Sequence, residues 1–288
     1  MMKFVLKVCS HFLLLVAFLE FLAFILIGNF ELSTKLGVKK EFQNILELTK
    51  KVNGPLHSDT LFLGDSVGRQ IYPTGVQDNF VTSTGSTLVH GNLILLKKAV
   101  FNNPELKVVN YIVTPGSLGL DLRYGSASSG CIKPFMSIYR PSDINEIIVT
   151  FLKSKPLSFL YLLNVGKFLP ISDIKFSSNY NDDYILSDYA ISSLKEMVTF
   201  CSERNIIFNL VSPPIPDLAT EKVRLNNFKL KTMSDPILND IINKYLDTIR
   251  FLPRSMFKDD LHFSRSYLRS NRKAMRSKIS KNFSSAAN

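Results

Sequence analysis

The sequence predicts an α/β protein, a three-layer α/β/α sandwich built on a parallel sheet and preceded by one N-terminal transmembrane helix. Three observations carry that expectation. Thr60–Leu63, Lys107–Val113 and Ile206–Val211 are short, almost continuously apolar runs, the pattern of parallel strands covered on both faces. Between them lie segments whose apolar residues recur at i, i+3 and i+4, the period of amphipathic helices. Phe4 to Ile27 is apolar over a length that, at about 1.5 Å per helical residue, crosses a bilayer.

Taken in order, residues 1–29 read as an uncleaved signal anchor. His11 and Glu20 interrupt it, but its many Leu and Phe residues offset a central carboxyl that costs roughly 2.5–3.5 kcal/mol on insertion. No small-x-small cleavage site follows the run. Glu20 is a contact point for a partner within the membrane, or a group that snorkels or pairs within the anchor. Residues 30–56 form a stalk or first helix, stopped by Asn53-Gly-Pro55. The domain proper is 57–288.

Thr60–Leu63 is its first strand. Gly64-Asp65-Ser66 breaks it, and helical spacing resumes from Val67. Tyr72-Pro-Thr-Gly75 is a turn and Phe80–Ser83 a second strand. Thr84-Gly85-Ser86-Thr87 leads into a helix through Leu88, Leu93, Leu96 and Val100. Lys107–Val113 is the third strand, ending at Thr114-Pro-Gly-Ser117. Residues 118–182 are an irregular insertion; its Leu157–Leu169 run is too short to span a bilayer and reads as a core helix, a lid or a membrane-surface segment. Asp183–Arg204 is a clear helix closed by Asn205. Ile206–Val211 is the fourth strand, stopped by Ser212-Pro-Pro-Ile-Pro216. Ser234-Asp-Pro236 opens a helix by N-cap and N1 preferences. Phe251-Leu252 is a short fifth strand, and Ser264 caps a last, basic helix.

The chain has 288 residues and a formal net charge of +11. Seven of the basic residues fall between Arg265 and Lys281, where no acid occurs. Such a helix suits anionic lipid or an acidic polymer, or is a solvated face; no recognition motif points to nucleic acid. Three cysteines form no disulfide framework, and Cys201 falls on an apolar stripe. No metal-ligand spacing and no glycine-rich phosphate loop is present, so no metal or cofactor is expected.

The candidate chemistry lies in two short stretches. Ser66 stands between a strand end and a helix start. Its hydroxyl is then at the sheet rim, and its own N–H points out of a helix N-terminus, where it meets a developing oxyanion. Asp259-Asp260-Leu261-His262 places an imidazole and a carboxylate on one loop. Asp259 can orient His262, and His262 can take the Ser66 proton. Asp260 is the fallback orienter.

Gly64-Asp65-Ser66 near the start of the domain and Asp259-x-x-His262 before its last helix resemble the SGNH/GDSL hydrolase superfamily. The resemblance implies a flavodoxin-like sheet and a Ser66–His262–Asp259 triad. It also implies an oxyanion hole formed by the N–H groups of Ser66 and Gly85. The family's Gly-x-Asn-Asp block has no counterpart at Thr114-Pro-Gly-Ser117; Thr114 or Asn92 is the candidate substitute for its Asn. A membrane-tethered member with that divergence looks like the proteins that modify cell-surface polysaccharide. The implied activity is that of an O-acetyltransferase or O-acetylesterase on envelope glycan, outside the cytoplasm, alone or beside a multi-pass membrane acyltransferase. A lipase-like esterase and a non-catalytic scaffold are the rival expectations.

Overall fold

The computed structural model describes residues 2–28, 47–48, 51–52, 54–55, 58–72, 88–119, 188–219, 221–223, 225–226 and 235–285. The expected strand at 80–83, Gly85, most of the stalk and nearly all of the 118–182 insertion lie outside them. The protein is a mixed α/β structure around a parallel sheet. In chain order the elements are α1 (Met2–Gly28), β1 (Thr60–Gly64), α2 (Ser66–Ile71), α3 (Leu88–Asn102), β2 (Val108–Ile112) and α4 (Pro115–Gly119). There follow α5 (Asp188–Ser202), β3 (Ile207–Val211), β4 (Ile215–Pro216), α6 (Pro236–Thr248), β5 (Phe251–Leu252) and α7 (Arg265–Ser285).

Strands β1, β2 and β3 pair in that order, all parallel, with Thr60 opposite Val108 and Val108 opposite Ile207. Parallel neighbours require crossovers, and α3 and α5 supply helices for them. Because side chains alternate across a strand, the sheet feeds two cores. Leu61, Leu63, Val109, Tyr111 and Leu210 enter one, with α3, α5 and α6. Phe62, Ile112 and Val211 enter the other, against Val67 and Ile71 of α2 and Leu268, Met275 and Ile279 of α7. Helices therefore cover both faces.

Local chemistry sets the element ends. Asn205 takes a left-handed φ of 56° and stops α5, while the Ile206 N–H donates to the Cys201 carbonyl across it. Asp235 caps α6 by accepting from Ile237 and Leu238 N–H, with Pro236 in the first turn. Cys201 is buried in the first core, and burial pushes its thiol up to about 12.

Two elements depart from the sequence reading. Ile215–Pro216, read as part of a stop, is a two-residue strand β4 parallel to β5. Pro115–Gly119, read as the end of a strand, turns into the one-turn helix α4 because the Thr114 carbonyl accepts from both Ser117 and Leu118 N–H.

Helix α1 has 27 residues, about 40 Å in length. Its large apolar side chains stand outward: Phe4 is 71 % exposed and Leu14 68 %. The sequence reading expects a transmembrane helix here, but among the described residues no helix is both long and apolar enough to cross a membrane. In α1 the side chains at 2, 20, 23, 24 and 26–28 lie outside the description.

Candidate active site

The site forms where β1 ends. Gly64 and Gly68 let the start of α2 press against the end of β2. A Cβ on Gly64 would lie 2.5 Å from the Ile112 carbonyl oxygen, and one on Gly68 would lie 2.7 Å from it. Neither distance is tolerable, so the turn tolerates only glycine at both places. The Asp65 N–H donates to that same carbonyl at 3.2 Å.

Asp65 is the buried hub of the turn. Its Oδ1 accepts from the N–H groups of Val67 and Gly68, both at 2.9 Å, which caps α2. Its Oδ2 accepts from the Thr114 N–H at 2.8 Å, the Thr114 hydroxyl at 2.7 Å and the Ser117 hydroxyl at 2.8 Å. One carboxylate thus ties the end of β1 to the end of β2 and fixes the strand-to-helix turn on which Ser66 sits. Its charge reaches Tyr111, whose phenol is raised first by burial and then by Asp65.

Ser66 Oγ lies 2.9 Å from His262 Nε2. His262 Nδ1 lies 3.0 Å from Asp259 Oδ1 and 3.1 Å from Oδ2. A carboxylate only accepts, so Nδ1 carries the proton, and Nε2 is left to accept from the Ser66 hydroxyl. Asp259 is itself held in place. Its Oδ1 accepts from the N–H groups of Leu261 at 3.0 Å and His262 at 2.6 Å. Burial raises its carboxyl, but those two N–H groups and the His262 ring outweigh it, and the group ends below the usual carboxylate range. The His262 side chain is 34 % exposed, so the relay faces solvent.

The loop bearing His262 is clamped from several sides. Lys258 N–H donates to the His262 carbonyl at 2.7 Å. Phe257 and Phe263 bridge and stack across the loop, with centroids 4.8 Å apart. Gln70, on α2, accepts from the Phe263 N–H at 3.0 Å and donates to the Phe263 carbonyl at 3.5 Å. Gln70 thereby couples the helix that begins with Ser66 to the loop that carries His262, across 193 positions of sequence. No motif marks it; only its place one turn after Ser66 hints at such a role.

The remaining sequence candidates fall as follows. Asp260 points away and pairs with Arg254, so it does not serve as the orienter. Thr114 gives its hydroxyl and N–H to Asp65, and its position is one of support for the turn. Asn92 is buried inside α3, with its amide 3.5 Å from the Tyr111 hydroxyl. Gly85 lies outside the described residues. The Ser66 N–H makes no hydrogen bond among the described residues, which leaves it to meet an incoming oxygen. Among those residues no three His, Cys, Asp or Glu side chains gather where a metal ion would bind.

No protein-family model matches the chain, and no curated protein matches it. Among solved structures, one provisionally described as a platelet activating factor from Streptococcus pneumonia aligns over 83 % of this chain and 94 % of its own, at 11 % identity and a TM-score of 0.37. Likeness at that level carries no functional argument, and the reading of the site rests on its own geometry.

Proposed function

We propose that the chain is a serine-dependent acyl-transfer enzyme of the SGNH type, an O-acetyltransferase or O-acetylesterase acting on a cell-envelope polysaccharide. The observation that carries the reading is the continuous relay from Ser66 Oγ through His262 to Asp259. In the first step the Ser66 hydroxyl attacks the acyl carbonyl while its proton passes to His262 Nε2. Asp259 stabilises the imidazolium so formed. The oxyanion is met by the Ser66 N–H and, on the family resemblance, by that of Gly85. His262 then returns the proton to the departing alkoxide, leaving an acyl-serine. Water, or a sugar hydroxyl deprotonated by the same imidazole, takes the acyl group and restores Ser66. Water makes the protein an esterase; a sugar hydroxyl makes it a transferase.

The sheet is read as flavodoxin-like. The tether is read as α1, whose outward Phe and Leu side chains have no protein cover. On that reading the domain stands outside the cytoplasm, with its glycan and with any multi-pass acyltransferase that hands it acyl groups. Acetate release from p-nitrophenyl acetate and from an O-acetylated glycan, compared with longer acyl chains, tests the proposal. Ser66→Ala and His262→Ala should each lose at least about a thousandfold in rate. Unchanged rates in both variants would leave the scaffold role, and a preference for long chains would favour a lipid substrate.

A further inference from the structure

Helix α7 carries a stripe of positive charge that the relay does not use. At 3.6 residues per turn each residue advances about 100°. With Arg265 at zero, Arg276 falls at about 20°, Arg269 at about 40°, Lys273 at about 80° and Arg272 at about −20°. Five cations thus share one flank of the helix, about 100° wide. None of them forms an ion pair among the described residues. The Arg272 Nε is buried with no hydrogen-bond partner there. Three like-charged pairs stand at i and i+4: 265/269, 269/273 and 272/276. Such neighbours repel, and the described fold places no acid to offset them.

The stripe also has a direction. Arg276 Nε donates to the Ile71 carbonyl at 2.8 Å and lies 5.3 Å from the centre of the Tyr72 ring. The cationic flank therefore runs beside α2, the nucleophile helix. Its first member, Arg265, follows His262 by three residues. The line of α7 turned furthest from the core carries Ser266, Ser270 and Ser277, all exposed and uncharged. A flat membrane would meet those small residues first. A linear polymer would lie in the charged flank, between α7 and α2.

We infer that this stripe is a docking track for an anionic polysaccharide strand, led along α2 toward Ser66. The inference deepens the proposed acyl transfer by naming the substrate as a polyanionic glycan, and it rests on that reading only for what is delivered. Binding can be measured without chemistry, so the two fail separately. The full chain, held in phosphatidylcholine nanodiscs, is titrated with polygalacturonate, with neutral dextran and with phosphatidylglycerol vesicles. Polygalacturonate should bind, dextran should not, and raising salt should weaken the complex steeply. Arg269→Glu with Lys273→Glu should raise Kd at least tenfold, Arg269→Gln with Lys273→Gln by less, and Lys244→Glu on α6 not at all. Ser66→Ala, inactive, should bind polygalacturonate as the wild type does. Equal binding of dextran, indifference to charge reversal, or stripe-dependent capture by vesicles alone would each overturn the inference.

Discussion

Asp65→Ala should be the most costly single change near the site that leaves the relay residues themselves intact. The side chain is 4 % exposed and accepts five hydrogen bonds. Removing it uncaps α2, which costs about 1 kcal/mol. The Thr114 N–H, buried and committed to Oδ2, is left stranded for about 1–3 kcal/mol more. The two hydroxyls lose less, because Thr114 Oγ1 and Ser117 Oγ already lie 2.9 Å apart and can bond each other. The sum is about 3 kcal/mol. Urea unfolding of the detergent-solubilised chain, followed by far-UV circular dichroism, should show a midpoint lower by about 1–2 M with the slope unchanged. Asp65→Asn keeps one oxygen for the cap but turns an amide donor toward three donors, and it should cost a similar amount. A loss below about 1 kcal/mol in both variants would refute the role of this carboxylate as the tie between β1 and β2.

Gly68→Ala puts a methyl group 2.7 Å from the Ile112 oxygen, so α2 must shift; activity should fall tenfold or more while the helix content by circular dichroism stays within error. Asp259→Asn should lower the acyl-transfer rate by more than a hundredfold at neutral pH, read as initial velocity, because it removes the carboxylate that fixes the His262 tautomer. The same substitution has a pH signature in stability. Asp259 is depressed in the folded state, so its contribution is present above the unfolded value of about 3.9 and fades as pH falls through the lower folded one. Wild type and Asp259→Asn should therefore differ in Tm at neutral pH and converge on strong acidification.

Much of the sheet was legible because parallel strands need apolar side chains on both faces. Thr60–Leu63, Lys107–Val113 and Ile206–Val211 each match an observed strand to within one residue at either end. Helix ends were legible where local chemistry sets them, as Asn205 does in stopping α5 and Asp235-Pro236 in starting α6. Strand β4 was not, because two residues ending in proline carry neither alternation nor a run of apolar residues. Helix α4 was missed because Pro115-Gly116 reads as a turn, and its one turn hangs on Thr114 rather than on propensity.

In the site, Ser66, Asp259 and His262 were visible as residue types with a use. Asp65 stands in the sequence only as the middle of the Gly64-Asp65-Ser66 triplet. Its partners Thr114 and Ser117 lie about 50 positions away, and nothing local to them announces a shared carboxylate. Gln70 was invisible for the same reason: its value comes from the Phe263 backbone, which only folding brings near. Sequence spacing reports contacts along one helix or loop and is silent on those made across the sheet.

On the proposed mechanism His262 makes Ser66 a nucleophile. Treating the full chain with a fluorophosphonate and mapping the adduct by peptide mass spectrometry tests it most directly. One phosphonyl group is expected, on Ser66, with its rate of formation falling sharply in His262→Ala. An adduct on another serine, or no adduct from folded protein, would contradict it.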